Sequence, residues 1–273
     1  MNQTSIAKRG FKAFLITQFL GALNDNAFKL IIGLLLVDRF SNMPQGALYL
    51  SLSGILFVLP FLLFSTYSGF LADRFSKKKI IVVVKAVEIA IAAFAIYGFT
   101  SMDMNALLGV IFLMGTHSAF FGPAKYGIIP ELVPGPAISE GNGIMILLTY
   151  VGIILGKVIG GALAQMGNHQ MHMVGLSLLA VSCAGFVSSL FIGNVPPAGS
   201  QRPFQINFLW EIFDNIRVVK KDRPIFLSVF GLTFFSFLSG LFELNILVYA
   251  KDMVMADKLH TSFLLIFLAR NPE

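Results

Sequence analysis

The chain has 273 residues, 56% of them hydrophobic and only 12% charged, with a mean hydropathy of +0.79. Ordinary soluble domains carry about 25% charged residues, so the composition excludes a water-solvated domain and points to lipid as the main solvent. The net charge of +6 does not mark a nucleic-acid partner, because the cations cluster in short loops between apolar runs, and the single Cys183 excludes an intramolecular disulfide or a zinc framework.

A helix needs about 20 apolar residues to cross the hydrocarbon core. That ruler predicts spans at 11–37, 47–72, 80–99, 105–122, 143–166, 174–192 and 224–250. An eighth apolar stretch begins near Thr261 and stops at Arg270. These runs are too long for barrel strands, and backbone groups in lipid must be satisfied within their own segment, so the spans are helices. The first run is followed by no small-residue cleavage site, so no cleavable signal is expected.

The first span carries Asn24, Asp25 and Asn26 at its centre and Lys29 one turn later. A charge at mid-bilayer costs roughly 2.5–3.5 kcal/mol, so something must offset it or use it. Asp25 and Lys29 lie four residues apart and are expected to pair, with Asn24 and Asn26 as polar supports. Asp25 is then a proton or cation site, a gate partner for Lys125, or only a lock between helices.

The loop after the second span reads GFLADRFSKKK, residues 69–79. Gly69 is expected to let two helices approach closely, and Asp73 to pair with cationic neighbours and hold a gate shut. With Arg74, Lys77 and Lys78, this loop resembles the signature Gly-x-x-x-Asp-Arg/Lys-x-Gly-Arg-Lys/Arg of the major facilitator superfamily, Ser76 standing where a glycine is usual. The alternative is a plain basic anchor. In the third span Lys85 and Glu88, at i and i+3, read as a structural pair. His117 in the fourth span is an interior hydrogen-bonded histidine or a proton relay. Lys125 at the end of that span meets a phosphate, pairs with an acid, or snorkels to the membrane face.

The fifth span contains GIILGKVIGG, residues 152–161. Gly152, Gly156 and Gly160 fall on one face that permits tight packing, with Gly161 beside them. The run resembles the superfamily's glycine-rich fifth-helix motif, with Lys157 in place of the usual proline. Lys157 either faces a central cavity and binds an anion or is satisfied by its helix neighbours. His169 and His172 lack an acidic or cysteine companion, so neither a metal nor a cofactor is expected. Glu243 in the seventh span has no local partner and is expected to face the cavity, against a cation such as an ethanolamine ammonium.

Counting from a cytoplasmic N-terminus, the inner loops hold Lys8, Arg9, Lys12, Arg74, Lys77, Lys78, Lys79, Lys125, Arg202, Arg217, Lys220, Lys221 and Arg223, against Arg39, Lys251 and Lys258 outside. That bias predicts an N-terminus on the inside. Residues 208–221 place Phe208, Leu209, Ile212, Ile216 and Val219 at helical spacing, the pattern of an amphipathic helix lying on the membrane. The expected organisation is an all-α, major-facilitator-type integral membrane bundle with seven to eight transmembrane helices. It comprises a six-helix half over 1–193, a cytoplasmic linker over 194–223, and the apparently truncated start of a second half over 224–273.

FFGPAKYGIIPELV at 120–133, with FLGALNDNAFK at 19–29 and Gly141-Asn142-Gly143, resembles the lysophospholipid transporter family. It is similar above all to transporter domains fused to acyltransferase and acyl-carrier-protein synthetase domains in some Gram-negative bacteria. The resemblance implies movement of lysophosphatidylethanolamine and lysophosphatidylglycerol from the outer to the inner leaflet of the bacterial cytoplasmic membrane, by alternating access, to feed re-acylation. The implied partners are the lysophospholipid, membrane lipids and a fused or associated acyltransferase or synthetase; no nucleic acid is implied. Another small amphipathic or polar substrate on the same fold stays open, as does a fragment without activity. A membrane acyltransferase would bring a His-x-x-x-x-Asp pair, which the chain lacks, so no enzymatic activity is expected of it.

Overall fold

The computed structural model describes residues 3–40, 46–166, 170–197, 199–200, 216–252 and 261. Among them the long helices are α1 (Gln3–Phe40), α2 (Gly46–Arg74), α3 (Lys77–Ser101), α4 (Met104–Gly127), α6 (Ile138–Ala164), α7 (Met171–Leu190) and α8 (Arg223–Asp252), with the single-turn α5 (Ile129–Leu132) between α4 and α6. Seven of these are long and apolar enough to cross a membrane, making this a multi-pass membrane protein. The eighth apolar stretch lies outside the described residues apart from Thr261, as does most of the expected amphipathic helix; only its end, 216–219, is seen, as a helical turn.

Local chemistry sets the helix ends. Met102 turns left-handed at φ 52°, closing α3, and Asp103 then caps α4 by accepting from the backbone N–H groups of Asn105 and Ala106. Pro60 and Pro123 sit inside α2 and α4, each leaving the carbonyl four residues earlier, on Leu56 and Ala119, without its helical donor. Lipid supplies no replacement partner, so such positions are tolerated only where neighbours pack closely.

Three pairings dominate the bundle: α1 with α6, α2 with α4, and α3 with α7, supported by α3 with α4 and α1 with α7. Exchanging α1 with α4, α2 with α6 and α3 with α7 maps this list onto itself. That is the pattern of two three-helix repeats, α1–α3 and α4–α7, wrapped around each other. α8 packs only lightly on the bundle, against α1 and α2 and through an ion pair to α6, and most of its described large apolar side chains are exposed.

Three glycines bring α6 close to α1. A Cβ at Gly152 would come 2.8 Å from the Phe19 carbonyl oxygen, one at Gly156 would overlap the Leu23 carbonyl, and one at Gly160 would lie 3.1 Å from Ala27. The glycine face of α6 therefore lies along the face of α1 that repeats every fourth residue, Phe19, Leu23 and Ala27, as its spacing predicts. Gly161 is buried alongside. Gly69 does not play the matching part on α2, since a Cβ there meets nothing within 4 Å. The helix contact expected at that position is instead made at Gly115 of α4, where a Cβ would overlap the Phe57 carbonyl.

The apolar core divides into two clusters. One gathers Ala27–Val37 residues with Ile91, Phe99, Leu107 and Val174. The other gathers Phe14, Ile81, Phe121, Ile128 and Ile192 at the basic end of the bundle, where Lys77–Lys79 lie. Between them runs a layer of buried polar and charged side chains, Gln18, Asn24, Lys85, Glu88, His117 and Ser182.

Gly156→Leu is expected to push α1 from α6 and destabilise the bundle by about 1–3 kcal/mol or more. Thermal unfolding in detergent checks it, with Gly231→Ala, where a Cβ meets open space, as the variant that does not lower the midpoint.

Candidate functional site

The polar layer is organised by one carboxylate. Glu88 Oε1 accepts from Asn24 Nδ2 at 2.8 Å, and Glu88 Oε2 accepts from Lys85 Nζ at 2.5 Å. His117 Nε2 lies 3.1 Å from the same Oε2. Asn24 Nδ2 also donates to Ser182 Oγ at 2.9 Å, and that hydroxyl donates to the Leu178 carbonyl. Helices α1, α3, α4 and α7 thus converge on Glu88, whose side chain and that of Lys85 are each 1% exposed. Phe121 closes the layer on the basic side: the Lys85 ammonium lies 5.3 Å from its ring centroid and the His117 imidazole stacks on it. Gly21 makes room for the ammonium, since a Cβ there would come 2.6 Å from Lys85 Nζ.

A second charged centre lies on the other side of α1. Lys29 and Glu243 line a cavity of about 790 Å3 between α1, α2, α4 and α8, walled mainly by apolar side chains such as Leu30, Phe57, Val58, Ile111 and Phe237, with Ser51, Ser236 and Thr233 as neutral polar groups. Its size falls within the roughly 300–1,000 Å3 typical of small-molecule sites. The Lys29 ammonium lies 4.7 Å from the Phe57 ring centroid. Lys157 Nζ lies 3.2 Å from Glu243 Oε1, so an ion pair joins α6 to α8 at the cavity's edge.

The structure regroups the sequence-predicted residues. Asp25 and Lys29 do not pair: Asp25 Oδ2 accepts from Ser118 Oγ of α4 at 2.9 Å, whereas Lys29 turns to Phe57 of α2. One helical turn separates residues whose neighbouring helices differ, and those neighbours decide. Asn24 is a support for Glu88, not for Asp25, and Asn26 donates to the Ala22 carbonyl of its own helix. Lys125 lies over the Tyr126 ring at 4.7 Å with Asp25 in electrostatic reach, and the two form no ion pair. Lys157 and Glu243, expected as separate cavity groups, hold each other. Lys85 and Glu88 pair as predicted.

At the basic end, Lys77 bonds Glu131 of α5 at 2.5 Å, Lys78 bonds Asn194 at 2.8 Å, and Ser76 donates to the Val195 carbonyl at 2.7 Å. The Lys77 stem crosses Gly127, where a Cβ would come 2.7 Å from Cε, so the glycine of PAKYG and the lysine of the 69–79 loop are parts of one contact. Arg74 lies over Phe70. Asp73 is exposed and forms no ion pair among the described residues; its carbonyl accepts from the Ser200 N–H. Sequence reasoning missed that Asn24, His117 and Ser182 serve Glu88. The signal was available, because polar residues at matching depth in four spans must find partners when lipid offers none.

A bundle of apolar helices with paired three-helix repeats and a charged, mainly apolar cavity is that of a secondary transporter. The family model described as Major Facilitator Superfamily matches residues 14–269, and the chain belongs to that superfamily. It is similar to the lysophospholipid transporter LplT of Enterobacter sp. (strain 638), 30% identical over 234 residues, covering 85% of this chain and 55% of that one. It is also similar to LplT of Escherichia fergusonii, 32% identical over 203 residues, covering 74% of this chain and 47% of that one. The chain therefore spans about half the length of the relatives it matches. In fold it resembles a crystal structure of a bacterial homologue of the human lysosomal transporter Spinster, inward-facing and unoccupied, with TM-score 0.69, 17% identity and coverage of 98% of this chain and 61% of that one.

Glu88→Leu is expected to strand the Lys85 charge and cost about 3–5 kcal/mol, whereas adding Lys85→Met should recover most of the loss. Thermal unfolding of the single and double variants in detergent checks this.

Proposed function

We propose that this protein moves lysophospholipids from the outer to the inner leaflet of a bacterial cytoplasmic membrane, supplying them for re-acylation. One observation carries the reading: a cavity of about 790 Å3 whose walls are mainly apolar and whose charged lining, among the described residues, is Lys29 and Glu243. A lysophospholipid has one acyl chain and a phosphate headgroup, so it needs a greasy enclosure with a cation at one side. The names of the relatives that match over most of this chain support the same substrate class.

In this proposal residues 1–193 form the first six-helix half, with their N-terminus in the cytoplasm, and the segment from 224 onward opens the second half. Alternating access rocks the halves about the cavity. The Lys77–Glu131 pair and its neighbours keep the loops of the first half together during that motion, and the Lys157–Glu243 pair is the contact that spans the halves. The chain serves as the transporter, with chemistry on the lipid left to an acyltransferase or synthetase, fused or associated.

Reconstituted into vesicles, the protein is expected to move a fluorescently labelled lysophospholipid between leaflets faster than protein-free vesicles do, and to leave the two-chain lipid in place. Movement of neither lipid, or of both alike, contradicts the proposal.

A further inference from the structure

The charges at the cavity do not cancel. Among the described residues, those at its wall and edge are Lys29, Glu243 and Lys157, two cations and one anion. Glu243 lies within electrostatic reach of both lysines, yet its ion pair is with Lys157. Lys29 is left with the face of Phe57, which stabilises a cation without neutralising it. The nearest acid along α1, Asp25, is turned to Ser118 of α4. Among the described residues the site therefore carries a net charge of +1, with apolar walls on most sides.

We propose that this cavity selects single-chain phospholipids by net charge, favouring a monoanionic headgroup such as phosphoglycerol over a zwitterionic one such as phosphoethanolamine, and that Lys157 sets the preference by adding a second cation to the one carboxylate, Glu243, that it shares with Lys29. The inference rests on the transport reading above and adds the headgroup class to it. A phosphodiester brought to Lys29 makes the filled site neutral when it carries no amine. A zwitterion leaves the site at +1 and presents an ammonium to Glu243, the one acid among the described lining residues, which Lys157 already holds. Burying an uncompensated charge is the costlier outcome.

The same ion pair can be broken from either side, and the two breaks have opposite electrostatic consequences. Lys157→Met leaves Lys29 with Glu243, a net charge of zero. Glu243→Gln leaves Lys29 with Lys157, a net charge of +2. A contact that only joins α6 to α8 would be lost equally in both.

The experiment measures movement of labelled lysophosphatidylglycerol and lysophosphatidylethanolamine in reconstituted vesicles, at one ionic strength, for the unmodified protein and the variants. The unmodified protein is expected to favour the glycerol lipid. Lys157→Met is expected to lower the glycerol-to-ethanolamine ratio and Glu243→Gln to raise it, on the order of tenfold between the two. Lys29→Gln, which leaves the Lys157–Glu243 pair intact, should lower the ratio as Lys157→Met does. Ratios that stay constant, or that move the same way in Lys157→Met and Glu243→Gln, overturn the inference while leaving lysophospholipid transport standing. Failure of the unmodified protein to move either lipid overturns both.

Discussion

The buried carboxylate of Glu88 is the constraint on which the bundle depends. Four helices send a side chain to it or to its partners: Asn24 from α1, Lys85 from α3, His117 from α4 and, through Asn24, Ser182 from α7. An isolated carboxylate at this depth would be expensive, and its pairing with Lys85 offsets the cost only because the remaining oxygen is also hydrogen-bonded. Once formed, the network fixes the depth of α1 relative to α3 and α7. It lies between the two apolar clusters, which have no directional preference of their own and would allow helices to slide. Gly21 and the glycine face of α6 let the backbones come close enough for short side chains to reach.

Fixing α1 in this way separates its polar residues into two systems. Asn24 and Asp25 face the bundle interior, where Glu88 and Ser118 receive them, and Lys29 faces α2 and the cavity. The interior system is buried and drawn from α1, α3, α4 and α7, with Asn24 Oδ1, Asp25 Oδ1 and the His117 ring nitrogens left without a hydrogen bond among the described residues. The cavity system is open, with Lys157 and Glu243 bridging from α6 to α8. Charges that hold the helices together and charges that face the cavity are thus carried by adjacent turns of one helix without sharing a partner. This division lets the second system change its contacts while the first stays intact.

Much of the architecture is legible in the sequence, because lipid permits so few solutions. The seven spans, the glycine face at 152, 156 and 160, and the Lys85–Glu88 pair follow from hydropathy, residue size and helical spacing alone. Partnerships between helices are not legible in the same way. Spacing along α1 places Asp25 near Lys29, yet Asp25 meets Ser118 of α4 and Lys29 meets Phe57 of α2, so the two partners come from different neighbouring helices. Gly69 illustrates the same point: a motif position implies a close contact, while the approach of α2 to α4 is set at Phe57 and Gly115 instead. Lys157 and Glu243 are 86 positions apart, and only the placement of α8 brings them together.

The Glu88 layer is buried while the Lys29–Glu243 cavity is open, and the reactivity of cysteines placed in each distinguishes the two. In a Cys183→Ser background, Ser182→Cys reports on the layer and Ser236→Cys on the cavity, each a near-isosteric change. Labelling of both by a small thiol reagent in reconstituted vesicles is the measurement. Ser236→Cys is expected to react readily and Ser182→Cys only after denaturation. Equal reaction of the two in the folded protein would contradict it.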